Sequence, residues 1–323
     1  MGCLWKYGAH VNKVIGYCSS TVSLLSGLVA TGHAPLAIAR HMFCIKVDAT
    51  MRFGRWLWAS TPDVLNLLDA RYEIWALQLM GADPWRNGHM CSHELGWELT
   101  GAARAVYDIA TRRAHFWEHA FDTLAGRTFT DMHTSEGDTW ARRTHALLEE
   151  WGVLDWPVWL STAHVCTYKT YVKQTLAAVS LTVRRPHLLR HTRPFPYFDI
   201  APVPATALND ALRAKCSWQT LLGHRSLCRL RCGLIMLGHV NQRASSAHVQ
   251  YCVFCDKRYT SVFAHVACSC PIFAAHRMEL KRAGVDCDLL DLWLAKPGAN
   301  GFAQIVNFAK DIDVQACAFW NKN

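Results

Sequence analysis

The stretch YCVFCDKRYTSVFAHVACSCP, residues 251–271, constrains the fold more than any other feature of the chain. Its cysteines and histidine have the spacing Cys252-x2-Cys255-x9-His265-x4-Cys270. A Cys-x2-Cys turn holds two thiolates at a separation that suits one tetrahedral metal ion, and a later histidine and cysteine can complete its shell. The segment is too short and polar to build a core of its own. We therefore expect it to fold around a structural Zn²⁺ ion bound as Cys3His.

Three alternatives to this ligand set stay open at the level of sequence. Cys268 competes with Cys270 for the fourth position. A Cys228-x3-Cys232 pair could instead join the Cys-x2-Cys turn in an all-cysteine site, although its spacing lies within a run of helical periodicity. The quartet could also be four unrelated residues, because the chain contains 14 cysteines.

Composition indicates an ordered intracellular protein. At 323 residues, about half of them apolar, the chain is long enough for two or three domains with sizeable cores. Its first dozen residues lack the apolar stretch of a secretory signal, so we expect a reducing compartment, nucleus or cytoplasm, and no secretion. Clustered cysteines are then metal ligands rather than disulfides. The formal charge of +9 favours a polyanionic partner such as RNA or DNA.

One uncharged segment, residues 14–32, is long enough to span a membrane. Six of its residues are Ser or Thr and three are Gly, a composition that favours a buried helical hairpin. We expect two packed helices broken near Gly32 and Pro35, and no membrane insertion.

Helical periodicity runs through most of the chain and predicts a mainly α fold. The clearest helix start is Thr61, a capping residue followed by Pro62, and Gly81 should end this helix. Further helices are expected to end at Gly126 and Gly152.

Both ends of the chain resemble the region downstream of the polymerase palm in the reverse transcriptases of non-LTR (LINE-type) retrotransposons. At the C-terminal end, LCRLRCG at 227–233 is followed about 20 residues later by the Cys3His spacing, similar to the zinc knuckle of those proteins. At the N-terminal end, FGRW at 53–56 and LMG at 79–81 are similar in order and spacing to the thumb.

The resemblance implies a helical thumb and connector bundle with a small C-terminal Cys3His zinc knuckle. The implied parts are a thumb-like helical segment at 1–85, a helical connector at 86–192, a proline-rich linker at 193–205, a basic helical segment at 206–247, the knuckle at 248–280 and a C-terminal helical tail at 281–323.

The chain lacks the machinery of an intact retrotransposon polymerase. It contains no Asp-Asp dipeptide, which polymerases of this family use to hold two divalent ions, and no endonuclease motif of either branch. The resemblance therefore implies a non-catalytic fragment that binds template RNA or target DNA. We expect no polymerase activity from the chain alone and no small-molecule substrate.

Basic and aromatic residues supply the predicted nucleic-acid contacts, as phosphate ligands and as a base-stacking ring. They are Arg184, Arg185, Arg229, Arg231, Lys257, Arg258 and Tyr259. The alternative function is a helical protein–protein interaction module with a structural zinc and no nucleic-acid role.

The motif HELGWE at 93–98 lacks the second histidine of a zinc-protease helix. We expect Glu94 and Glu98 to share one solvated face of a helix.

Overall fold

The computed structural model describes residues 8–83, 86–159, 164–190, 217–239, 250–259, 261–285 and 301–322. Within them the chain is mainly helical, which confirms the mainly α prediction. The chain divides into two compact units. The first comprises Met1–Val22, Phe43–Trp75 and Glu98–Arg184, and the second comprises Ser23–Met42, Ala76–Trp97 and Arg185–Asn323. The proline-rich linker predicted at 193–205 lies outside the described residues.

Helices make up the N-terminal two-thirds of the described chain, and a small sheet interrupts them near the C-terminus. The helices are α1 (Gly8–Ala30), α2 (Leu36–Met42), a π-helical turn (Phe43–Asp48), α3 (Ala49–Arg52), α4 (Arg55–Trp58), α5 (Pro62–Met80), α6 (Gly88–Glu94), α7 (Gly101–Glu118), α8 (Leu124–Thr134), α9 (Trp140–Glu150), α10 (Trp156–Trp159), α11 (Val165–Arg190) and α12 (Trp218–Arg231). The strands β1 (Gly238–His239), β2 (Gln250–Cys252) and β3 (Arg258–Tyr259) come next, followed by α13 (Val262–Cys268), a 3-10 turn (Pro271–Phe273), α14 (Ala274–Arg282) and α15 (Phe302–Lys322).

Helix α1 buries one stripe of side chains and exposes the opposite face. The buried side chains recur at alternating steps of four and three residues: Val11, Ile15, Cys18, Val22, Leu25 and Val29. This period keeps them on one side of the helix, whereas Tyr17 and Leu24 are about two-thirds exposed. Helix α1 is long and apolar enough to cross a membrane, but core helices of soluble proteins can be equally long and apolar. The predicted break is present, because the helix ends at Ala30 and Gly32 has a φ of 73°.

Helix α5 begins and ends where its sequence predicts. Pro62 occupies the first helical position, which needs no backbone N–H, and Asp63 lies in the first turn near the positive end of the helix dipole. Gly81 follows the last helical residue with a φ of 61°, a left-handed conformation that glycine adopts without strain.

The predicted helix ending at Gly126 is wrong, because separate helices occupy this stretch. Thr100 starts α7, since its hydroxyl accepts a hydrogen bond from the Ala103 N–H at 3.2 Å. Gly126 lies in the first turn of α8, where a Cβ atom would approach the His119 carbonyl oxygen to 2.0 Å. Glycine is needed here because the backbone of a neighbouring segment packs against it. Helical periodicity in the sequence does not reveal such a contact.

Asp48 is the centre of a charged network in the core of the first unit. It accepts hydrogen bonds from the Tyr72 hydroxyl at 2.6 Å and from Arg104 Nη1 at 3.0 Å, and Arg55 Nη1 lies 3.5 Å away. Burial alone would raise the pKa of Asp48, but the charges of Arg104 and Arg55 outweigh burial and lower this pKa to about 2.

The depressed pKa of Asp48 predicts a loss of stability in acid. Its ionised form stabilises the fold fully above its unfolded pKa of about 3.9, and this contribution disappears as the pH falls through the folded value. The difference in free energy of unfolding between the parent chain and Asp48→Asn should shrink by about 2 kcal/mol between neutral pH and the folded pKa. Denaturant titrations across this range measure the difference. If this difference in free energy stays constant with pH, the arginine partners do not stabilise the ionised form of Asp48.

The second unit joins a helical pair to a small sheet. Helices α12 and α15 pack closely at Gly223, where a Cβ atom would lie 2.7 Å from Val306 Cγ1. The strands form an antiparallel sheet of order β1-β2-β3, with Gly238 opposite Cys252 and Tyr251 opposite Arg258. Strand β2 thus ends at the first cysteine of the predicted zinc segment.

Candidate metal centre

Four ligand atoms converge at the end of this sheet. Cys252 ends β2, Cys255 lies in the turn before β3, His265 is on α13, and Cys270 follows that helix. Their three sulfur atoms and one imidazole nitrogen all lie within 4.8 Å of one another. The structure therefore brings together the four residues that spacing predicted as metal ligands.

The Cys-x2-Cys turn is shaped by its backbone. The Asp256 N–H donates to the Cys252 carbonyl at 2.9 Å, and the Cys252 N–H donates to the Lys257 carbonyl at 3.0 Å. Asp256 has a φ of 53°, a left-handed conformation that aspartate tolerates better than most residues. This tight reversal places the two thiols on the same side of the hairpin.

Helix α13 brings in the other two ligands. Its first turn is capped by Ser261, whose hydroxyl accepts from the Ala264 N–H. After the helix, the N–H groups of Ser269 and Cys270 both donate to the His265 carbonyl, at 2.8 and 2.7 Å. These bonds turn the chain back, so that Cys270 lies beside the histidine.

The orientation of His265 matches that of a metal ligand. Its Nε2 atom lies 3.2 Å from Cys255 Sγ, and its Nδ1 atom lies 3.0 Å from Ser269 Oγ. A hydrogen bond from Nδ1–H to Ser269 leaves the Nε2 lone pair directed at the cluster. The Tyr259 ring stacks on the imidazole, with ring centroids 3.5 Å apart and an interplanar angle of 13°. This stacking fixes the orientation of the imidazole plane.

Aromatic packing and a guanidinium contact support the cluster. Phe273 is fully buried against Phe254, with ring centroids 4.8 Å apart, and against Phe308 of α15, at 5.6 Å. Arg277 of α14 donates from Nη2 to the Cys270 carbonyl at 2.5 Å. The ligand loop is thus anchored to two helices of the second unit.

The Cys252 and Cys270 thiols are buried and Cys255 is half-buried, and the surrounding peptide groups favour the ionised form of the two buried thiols. Burial raises the pKa of Cys252 to about 12, and hydrogen bonds from the N–H groups of Phe254 and Cys255 oppose this rise. Burial likewise raises the pKa of Cys270, opposed by the Ile272 N–H. A cation would neutralise the thiolates, and the same N–H groups would then stabilise the bound sulfur atoms.

The donor set fits a metal ion such as zinc. With Zn–S bonds of about 2.3 Å, two sulfur atoms of a tetrahedral site lie about 3.8 Å apart, which is within the observed limit. Three thiols and one imidazole are soft and borderline donors of the kind that zinc prefers. Four protein ligands also complete a tetrahedral shell.

The structure decides between the alternative ligands. Cys270 is fully buried within the cluster, whereas Cys268 is exposed and outside it. Cys228 and Cys232 are buried elsewhere in the second unit: Cys228 Sγ lies 3.9 Å from His224 Nδ1, and Cys232 Sγ lies 3.8 Å from the Met90 carbonyl oxygen. The all-cysteine arrangement is therefore wrong, because Cys228 on α12 and Cys232 directly after it both pack away from the cluster.

Lys257, Arg258 and Arg185 are exposed, as their predicted role in phosphate binding requires. Tyr259 is half-buried, and one face of its ring is covered by His265.

Two of the predicted phosphate contacts are wrong for this structure, because their side chains are buried. Arg231 is 2% exposed and pairs with Glu94 at 3.1 Å. Arg184 is 3% exposed, and its Nη1 lies 3.4 Å from the Glu98 carbonyl. A phosphate cannot reach a guanidinium that the protein covers.

Arg229 occupies an intermediate position. Its side chain is 17% exposed, its Nε lies 3.2 Å from Asp313 Oδ2, and its Nη1 donates to the Gly81 carbonyl at 2.7 Å. Most of its hydrogen-bonding capacity therefore serves contacts within the second unit.

The prediction for Glu94 and Glu98 is also wrong for Glu94. Helix α6 ends at Glu94, so the two residues do not share a helical face, and Glu94 is 3% exposed. Only Glu98 is solvated as expected, beside Lys173 at 2.7 Å. Glu94 and its partner Arg231 are far apart in the sequence, so local sequence does not indicate their pairing.

No protein-family model, no curated protein and no solved structure matches this chain.

Proposed function

We propose that the chain binds RNA or DNA and that a structural zinc ion in the Cys3His cluster holds its binding segment folded. The observation that carries the proposal is the convergence of three thiols and one imidazole beside a hairpin whose exposed residues include Lys257 and Arg258. The metal and the cations thus belong to one short segment, residues 250–285.

Cys252, Cys255, His265 and Cys270 would hold the zinc ion. Zinc supplies positive charge that neutralises the thiolates and cross-links the hairpin to α13, which a segment of this size needs for stability. Because the four side chains complete a tetrahedral shell, no coordination position is left for a substrate. The role that fits this site is therefore structural rather than catalytic.

The charge of the segment supports a polyanionic partner. Residues 250–285 contain five Lys or Arg residues and two acidic residues. Lys257 and Arg258 are exposed on the hairpin, and Lys281 and Arg282 are exposed in the last turn of α14. Exposed cations can reach phosphates without any opening of the fold, and each phosphate contact releases condensed counterions from the nucleic acid.

We also propose that the chain is the post-palm portion of a non-LTR retrotransposon reverse transcriptase, without polymerase activity of its own. The support is the order of LCRLRCG and the Cys3His spacing in the sequence. An in-frame palm with paired aspartates in the genomic DNA upstream is the expected result, and an unrelated upstream sequence would count against this origin.

Salt dependence of binding tests the nucleic-acid role. Removing one phosphate-binding side chain lowers the slope of log K against log[salt] by about 1, so Lys257→Ala with Arg258→Ala should reduce the slope by about 2. Fluorescence anisotropy with labelled single-stranded RNA and duplex DNA, between low and moderate salt, measures the slope on zinc-loaded protein.

The matched control removes two exposed lysines of the first unit, Lys13→Ala with Lys46→Ala. It lowers the net charge equally and should leave the slope unchanged. An equal effect of the two double variants would mean that binding reflects net charge alone. No affinity at low salt would reject the nucleic-acid role and favour a zinc-stabilised module that binds protein.

A further inference from the structure

A second group of metal-ligating side chains lies in the first unit, at the C-terminal end of α7. The ligand atoms of His115, Glu118 and His119 all lie within 4.8 Å of one another. His115 and Glu118 are one turn apart on α7, and His119 is the residue at which the helix ends, four residues after His115. We propose that these three side chains bind a divalent transition-metal ion, independently of the Cys3His cluster.

The chemistry of the three donors suits such an ion. Imidazole is a preferred ligand of Zn²⁺, Ni²⁺ and Cu²⁺, and a glutamate oxygen commonly completes zinc sites with two histidines. The two imidazole rings have centroids 4.7 Å apart and are nearly perpendicular, so nitrogen atoms of both can point at one ion. The order His-x2-Glu-His also occurs on the metal-binding helix of one class of zinc proteases.

The end of α7 attracts a cation. Helix α7 ends at Glu118, so the negative end of its dipole and its last carbonyl groups lie beside the three ligands. Two carboxylates add negative charge: Glu118 Oε2 is 3.9 Å from His119 Nε2, and Asp122 Oδ2 is 4.0 Å from His119 Nδ1.

Two cations oppose the ion and limit its affinity. The Arg112 guanidinium lies over the Trp56 ring, 4.9 Å from its centroid, and close enough to affect His115 electrostatically. Lys169 of α11 likewise places a positive charge near His115. The bound metal is therefore exchangeable and weaker than one held by three thiolates.

The site borders an open cleft. His115 and Glu118 line a cavity of about 880 Å³ in the first unit, together with Arg52, Arg112 and Lys169. Three protein ligands leave coordination positions that water or a small anion can occupy. The ligands are exposed or half-exposed, so the ion can enter without opening the fold.

Isothermal titration with Ni²⁺ tests the site on full-length protein whose Cys3His cluster is already loaded with zinc. We expect one Ni²⁺ bound per chain while elemental analysis shows that the zinc is retained. His115→Ala with His119→Ala should abolish this binding, and Glu118→Gln should weaken it by about tenfold or more. Circular dichroism should stay unchanged, because the three side chains are not part of the core.

The matched control is His10→Ala with His164→Ala, which removes two exposed histidines of the first unit. This variant should bind Ni²⁺ like the parent chain. Cys255→Ser should lose zinc but keep the Ni²⁺ site, which separates this proposal from the structural zinc. The proposal is overturned if the parent chain binds no Ni²⁺, if the His115/His119 variant still binds it, or if the control variant fails to bind it.

Discussion

Cys270→Ser is expected to abolish zinc binding and to unfold residues 250–285, while Cys268→Ser leaves both unchanged. Cys270 is buried with its sulfur atom in the four-ligand cluster, whereas Cys268 is exposed and outside it. A serine hydroxyl stays protonated and does not replace a thiolate ligand. Structural zinc contributes about 10 to 16 kcal/mol in small zinc-binding peptides, so this is the largest effect that we predict.

Zinc content per purified chain and limited proteolysis of the segment measure this effect. The two cysteines are two residues apart, so the pair controls for removal of a thiol and for local sequence. Stripping zinc from the parent chain with a chelator should reproduce the Cys270→Ser proteolysis pattern. Equal zinc content in the two serine variants, or a parent chain without zinc, would refute the Cys3His site.

Arg113→Ala should destabilise the first unit by about 3 to 5 kcal/mol, because it leaves a buried carboxylate without its partner. Arg113 is fully buried on α7 and forms an ion pair with Asp155. It also donates to Thr144 Oγ1 at 2.7 Å and to the Ala141 carbonyl. Burial would raise the pKa of Asp155, but the Arg113 hydrogen bonds and charge outweigh burial and lower it.

Chemical denaturation of the variant and the parent chain measures this difference. Arg127→Ala is the matched control, because Arg127 is an exposed arginine of the same unit and its removal should change stability by less than about 0.5 kcal/mol. Asp155→Asn should also destabilise the unit by several kcal/mol, because it leaves the buried Arg113 guanidinium without its counter-ion, although the amide oxygen can still accept one hydrogen bond. A destabilisation below about 1 kcal/mol for Arg113→Ala would mean that water reaches the pair.

The two metal proposals assign different chemistry to the two units. The Cys3His cluster is closed, largely buried and built from soft ligands, which suits a permanent structural ion. The His115, Glu118 and His119 group is exposed and borders a cleft, which suits an exchangeable ion. The His-x2-Glu-His spacing is visible in the sequence, and only the folded chain shows that it lies at the C-terminal end of α7.

Local sequence by itself determined the features that depend on neighbouring residues. Helix α5 starts at Pro62 because the proline ring fixes a helical φ, and it ends before Gly81 because glycine adopts a left-handed φ without strain. The spacing of Cys252, Cys255 and His265 allows a short segment to bring the three side chains to one ion. These features need no distant partner. The sequence predicts the helix ends because each depends on a few consecutive dihedral angles, and it predicts the three ligands because they lie within one short segment.

Only the tertiary structure decided which polar side chains are buried and which cysteine is the fourth ligand. Arg231 has the sequence context of a surface cation, but Glu94 is its buried partner. Cys268 and Cys270 are equivalent by spacing, and the turn after α13 exposes the first and buries the second. The physical reason is that burial depends on packing between segments far apart in the chain, whose positions no local pattern encodes.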